Sequence, residues 1–167
     1  MSRGNLKGCA QTVLGAVAVD ELGITMMHEH LLSDMRLNFE DPEDPEELAL
    51  AHAPVSLEIL SWVALNCTKS RDNMVLSDPE LAIREASLFK QAGGRTLVDV
   101  TTTEIGRDPA KLRYIAEKTG LHIVMGCGYY HALLHPPGMD EKSEDDIFAE
   151  IVGDITQGVN AGVKPVQ

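Results

Sequence analysis

Basic residues are scarce in this sequence. Fourteen Lys and Arg stand against 26 Asp and Glu, a formal net charge of −12 over 167 residues. No cationic cluster occurs of the kind that neutralises a phosphate backbone, so nucleic acid is excluded as a partner. The same balance opposes adhesion to anionic membrane surfaces. Much of the acid falls in residues 40–47 and 140–146, where it serves solubility. Long apolar runs are lacking too. Nothing approaches the roughly 20 residues that span a bilayer, and Arg3 and Lys7 are not followed by the apolar stretch of a secretion signal. Cysteine is sparse: Cys9, Cys67 and Cys127 are odd in number, far apart and without a C-x-x-C pair. Free thiols in a reducing compartment explain that better than a disulfide framework, so the expected location is the cytoplasm. With no internal repeat and no second domain visible, residues 1–167 read as a single unit, large enough to bury a core.

What is present is an alternation of strand and helix signals. Short β-prone runs at 11–13 and 17–19 flank Gly15 and predict a small hairpin. A strand over residues 23–30 follows. Residues 31–77 are irregular, with loop chemistry in the run Asp41, Pro42, Glu43, Asp44, Pro45 and a weak helical patch at 55–65 that carries the only tryptophan, Trp62. Asp78 then caps a helix with Pro79 at its first position, Ala82, Ala86 and Phe89 on its apolar stripe, and Gly93-Gly94 at its end. Residues 96–101 form a buried strand, and Asp108-Pro109 opens a second helix containing Leu112, Ile115 and Ala116, closed by Gly120. A third strand runs over 122–127. Ser143 with Asp146 forms a capping box for a helix bearing Ile147, Ile151 and Ile155 that ends near Gly158. Such alternation implies a parallel sheet with right-handed crossovers. Three strands are clear and a fourth is expected near Ala161.

The chemistry gathers at Met26-Met27-His28-Glu29-His30. On a strand, Ile24, Met26, His28 and His30 share one face, and two successive same-face imidazoles can reach one cation. Neutral imidazole is the commonest protein ligand for zinc-like metals. Apolar residues first and ligands last is the order expected of a barrel strand, packed below and reactive at its C-terminal rim. Two surface histidines beside a turn would give the same letters, and Glu29, of opposite parity, reads as structural. A flavodoxin-like binding module would need a phosphate-cradling glycine loop here and has none.

Three blocks extend the pattern. Residues 15–31 around His28 and His30, then Val98-Asp99-Val100-Thr101-Thr102 with Gly106-Arg107-Asp108-Pro109 and Leu112, then Thr119-Gly120, Gly126-Cys127-Gly128-Tyr129-Tyr130 and His135-Pro136 together resemble the phosphotriesterase-like family of the amidohydrolase superfamily. The resemblance implies an α/β fold, the first half of a (β/α)8 TIM-type barrel with a short N-terminal hairpin. A whole barrel needs eight strands and about 250 residues. It implies a metal-dependent hydrolase that uses a divalent metal of the zinc type on a small-molecule ester, phosphotriester or lactone. His28 and His30 would be metal ligands and Tyr130 would line the substrate pocket, with no catalytic residue assigned. The bridging ligand of the family falls, without gaps, on Pro165; Lys164, the third candidate metal ligand, arrives one residue early, and a one-residue slip turns a side chain to the other face. The family's remaining ligands would lie beyond Gln167.

The remaining candidates have plainer explanations. Asp99 reads as a buried structural carboxylate, with a catalytic role as the alternative, Thr101, Thr102 and Thr103 as rim hydroxyls able to support ligands, and Asp108 as a helix cap. His131 and His135 are four apart, but Pro136 and Pro137 oppose a helix that would bring them together. Cys127 reads as a small buried hydrophobe. The competing function is a catalytically inactive fragment that at most binds metal weakly. Its open strand edge and apolar inner face predict self-association into a homo-oligomer.

Overall fold

A computed structural model describes residues 7–159. Along the chain run β1 (Cys9–Thr12), β2 (Gly15–Ala18), β3 (Ile24–Glu29), β4 (Ser33–Asp34), α1 (Pro45–His52), α2 (Leu60–Leu65), β5 (Val75–Leu76), α3 (Pro79–Gln91), β6 (Gly94–Asp99), α4 (Pro109–Thr119), β7 (His122–Met125) and α5 (Glu144–Gln157). Residues 33–77 form one compact unit, and the rest of the described chain forms the other.

The larger unit is built on a parallel sheet in the order β3-β6-β7, with β1 and β2 paired as the expected antiparallel hairpin. Each parallel neighbour is reached through a helix, α3 before β6 and α4 before β7. Leu97 and Ile123 are register partners that pack on the helices. Ile123 joins Leu112, Ile115, Ala116, Ala82 and Leu32 in one cluster, and Leu97 joins Ala86 and Leu121 in the next. Each large aliphatic removed from water here contributes roughly 1.5–3 kcal/mol. Val98 and Val124, the next register partners, fall on the other face and are only partly covered. One face carries helices and the other is the inner face of half a barrel, as the sequence predicts. The expected fourth strand near Ala161 lies outside the described residues.

Local chemistry explains the boundaries. Asp78 accepts the amide of Glu80, Asp108 that of Lys111, and Ser143 with Asp146 forms the predicted capping box. Gly120 ends α4 at φ +66°, a left-handed conformation that costs glycine nothing. Lys90 Nζ donates to the carbonyl of Thr119 at 2.5 Å, placing a cation at that C-terminus.

The smaller unit corrects one expectation. The acidic, proline-containing run read as loop ends in a helix start: Asp44 Oδ1 accepts the amides of Glu46 and Glu47, and Pro45 takes the first position of α1. This Asp-Pro start recurs at α3 and α4. The second proline, Pro42, masked it in the sequence. The helical patch around Trp62 forms as the short α2, and β4 pairs antiparallel with β5.

Candidate functional site

The register of β3 against β6 sets the site. Ile24 lies opposite Gly94, Thr25 opposite Thr96, Met26 opposite Leu97 and Glu29 opposite Asp99. One step on β3 from Ile24 to Thr25 matches two on β6, and three steps from Met26 to Glu29 match two, so the unbroken alternation expected from Ile24 to His30 is interrupted twice in opposite senses. The histidines nevertheless come together. The ring centroids of His28 and His30 are 5.7 Å apart at an interplanar angle of 71°. Both stand where the first parallel strand ends, and in a parallel sheet that end is shared by the loops leaving β6 and β7.

Hydrogen bonds hold this end of the sheet. Asp99 is fully buried; its Oδ2 accepts the amide of Leu31 at 2.8 Å and its Oδ1 the amide of Thr101 at 3.0 Å. The carboxylate thus ties the residue after His30 to the exit of β6, a structural task, as its sequence position suggested. The Thr101 hydroxyl lies 2.9 Å from His30 Nδ1 and 3.1 Å from the carbonyl oxygen of Leu32. Val100 donates its amide to the carbonyl of Glu29 at 2.9 Å, and Gly126 its amide to that of Asp99 at 2.6 Å, so three strand ends are stitched in series. In the loop beyond β6, the Thr102 hydroxyl and Glu104 Oε2 are buried with no hydrogen-bond partner among the described residues.

Further round the rim, Arg107 has a largely buried side chain whose Nη1 donates to the Gly126 carbonyl at 2.9 Å and to Asp154 Oδ2 at 3.2 Å, linking the exits of β6 and β7 to α5. The loop from β7 to α5 is pinned by a cluster the sequence did not reveal. Tyr129 Oη donates to Glu150, and Lys142 Nζ donates to Glu150 Oε1 at 2.6 Å and to Tyr129 Oη at 2.8 Å. The hydrogen bond from Lys142 holds Glu150 below the usual carboxylate range, and the bond to Glu150 raises both Tyr129 and Lys142. These groups lie 8 to 21 residues apart, on a loop and on a helix with no shared periodicity, so no local signal joins them. Tyr130 is in this loop, 41% exposed, with its ring centroid 4.9 Å from that of His131. His135 instead meets Tyr129 edge to face, so His131 and His135 have different aromatic partners. Cys127 is partly buried and free. Lys164 lies outside the described residues.

Among the described residues, no group of three or more His, Cys, Asp or Glu side chains is placed to hold a metal ion. Two imidazoles alone would supply only two of the four positions of a zinc ion's tetrahedral shell.

Parallel strands joined by helices, with the polar chemistry at their carboxyl ends, define half of a β/α barrel. The Phosphotriesterase family matches residues 8–164, and the chain belongs to that family. It is 35% identical over 157 residues to an N-acetyltaurine hydrolase of Tetraodon nigroviridis, an alignment covering 93% of this chain and 45% of the relative. A resiniferatoxin-binding protein from Rhodobacter sphaeroides superposes with a TM-score of 0.88 at 44% identity, over 92% of this chain and 43% of that one. A mutant organophosphorus hydrolase superposes at 0.59 with 25% identity, over 93% and 41%. The chain thus spans about half the length of the curated relatives it matches. No helix among the described residues is long and apolar enough to cross a membrane.

Proposed function

We propose that this chain forms part of a metal-dependent hydrolase, in which His28 and His30 are two ligands of a divalent cation of the zinc class. The observation that carries the reading is the convergence of the two imidazoles where β3 ends, 5.7 Å between centroids. When bound there, such a cation supplies Lewis-acid polarisation of a carbonyl or phosphoryl oxygen and acidifies water at neutral pH. The chain's own part is to hold and aim the ligands through Asp99 and Thr101 and to frame the rim with the pinned loop that bears Tyr130. The substrate class is a small ester, phosphotriester or lactone. The names of the relatives, one an N-acetyl compound hydrolase and one an organophosphorus hydrolase, support attack at either a carbonyl or a phosphoryl centre.

A second reading is favoured by a specific observation: among the described residues no group of three or more His, Cys, Asp or Glu side chains is placed to hold a metal ion, and catalytic zinc takes three ligands from protein. The 167-residue chain by itself would then be inactive, bind metal weakly and self-associate. Titration with cobalt(II), followed by visible absorption, separates these readings when combined with assays on a phosphotriester and a lactone. Saturable binding lost in His28→Ala and His30→Ala supports the ligand assignment. Metal-dependent turnover by the chain rejects the inactive reading, and binding without turnover favours it.

A further inference from the structure

The proton arrangement between His30 and Thr101 follows from what each neighbour is able to donate. The Thr101 hydroxyl contacts two atoms, His30 Nδ1 at 2.9 Å and the Leu32 carbonyl oxygen at 3.1 Å. The arrangement that satisfies both contacts gives the single hydroxyl proton to the Leu32 carbonyl oxygen, which only accepts, and has the hydroxyl accept from His30. Nδ1 of His30 therefore carries the hydrogen, which in a neutral ring leaves the lone pair on Nε2. Thr101 has little freedom to turn away, being 1% exposed with its amide bonded to Asp99 Oδ1. The other oxygen of the same carboxylate holds the amide of Leu31, next to His30. One buried acid thus fixes the backbone on both sides of the Thr101–His30 bond. The ring of His28, by contrast, meets His30 edge to face and makes no hydrogen bond to a described residue.

We propose that Thr101 is a positioning residue that locks His30 as the Nδ1–H tautomer, keeping Nε2 available to a zinc-class cation, while His28 is the adjustable member of the pair. The proposal deepens the metal-site reading above and rests on it for the identity of the ligand. Its physical content is pre-organisation. A histidine whose other nitrogen is hydrogen-bonded loses less rotational freedom on binding and does not first have to change tautomer, and removing such a partner typically weakens metal binding about 10–100-fold.

The test uses the metal-free chain with nitrogen-15-labelled histidine, at about pH 8.5, where an ordinary imidazole of pKa roughly 6.5 is neutral. Long-range proton–nitrogen correlation spectra report the tautomer of His30 directly. The expected result is a protonated Nδ1 and an unprotonated Nε2 in the unsubstituted chain and in Thr101→Ser, which keeps the hydroxyl, with mixed or inverted tautomers in Thr101→Val. Zinc affinity, measured by competition with a chromogenic chelator, should fall about 10–100-fold in Thr101→Val and stay close to the original in Thr101→Ser. An Nε2–H tautomer in the unsubstituted chain overturns the proposal without reference to any variant's folding. So does full zinc affinity in a folded Thr101→Val. Absence of zinc binding in an unsubstituted chain that shows the Nδ1–H tautomer instead overturns the metal-site reading and leaves the tautomer lock standing.

Discussion

Gly126 sits hard against Asp99: its amide donates to the Asp99 carbonyl at 2.6 Å, and a Cβ at residue 126 would stand 3.0 Å from that oxygen and from Val100 Cα. Both obstacles are backbone, which cannot swing aside as a side chain can. Gly126→Ala should therefore force β6 and β7 apart where they end and destabilise the larger unit by about 1–3 kcal/mol, the usual cost of overpacking. Denaturant unfolding read by circular dichroism checks this, and an unchanged midpoint would mean that the strand ends are less tightly stitched than described.

Asp99 is the next member of the same series. In Asp99→Ala the amide of Thr101 loses its acceptor in a buried place and that of Leu31 loses its acceptor in a partly buried one. At about 1–3 kcal/mol for each orphaned donor, the variant should lose roughly 2–6 kcal/mol of stability. Hydrogen exchange should locate the damage: protection is expected to drop first at Leu31 and Thr101, and uniform loss across both units would contradict the assignment.

The helix start at Asp44 makes a smaller, local prediction. Asp44→Ala removes the acceptor for two amides of the first turn of α1. A lost cap costs about 1 kcal/mol, and the expected signature is fraying of α1 in amide exchange with α3 and α4 unaffected.

The Lys142–Tyr129–Glu150 cluster should respond to pH from both sides. Glu150, held low first by Lys142, favours the folded loop above its unfolded pKa, and that contribution disappears as pH falls through its folded value. Tyr129 and Lys142, both raised by Glu150, contribute fully below their unfolded values and stop contributing as pH rises through the folded ones. The loop should thus be most resistant to proteolysis between roughly pH 4.3 and pH 10. Cleavage within residues 130–141 should accelerate on either side, and Glu150→Gln should flatten the acidic limb. A rate indifferent to pH in the unsubstituted chain would remove the cluster's role as a clamp.

Much of this was legible in the sequence, for identifiable reasons. Asp78-Pro79, Asp108-Pro109, Gly120 and the Ser143/Asp146 box are local signals whose meaning depends on a few neighbours, and each marks the boundary it was expected to mark. His28 and His30 are close in sequence, so their proximity needed only an extended backbone. What could not be read were pairings across the chain. Lys142 and Glu150 meet Tyr129 only because the β7–α5 loop folds back on the helix, and Arg107 reaches Asp154 across 47 residues. Asp44-Pro45 was missed for a different reason: the same local signal stood in a stretch so acidic and proline-rich that loop chemistry explained it equally well.

The extra residue on β3 between Met26 and Glu29 has a consequence for how this strand can vary. In a strictly alternating strand, inserting or deleting one residue inverts every side chain beyond it. Here the pairing shifts twice, once between Ile24 and Thr25 and once, in the opposite sense, between Met26 and Glu29, and the residues after β3 are anchored through the Leu31 amide to Asp99 and the His30 ring to Thr101. His30 and Leu31 are therefore held to β6 by side-chain hydrogen bonds as well as by the ladder, so the aim of the His30 ring does not rest on the register of residues 24–26 alone.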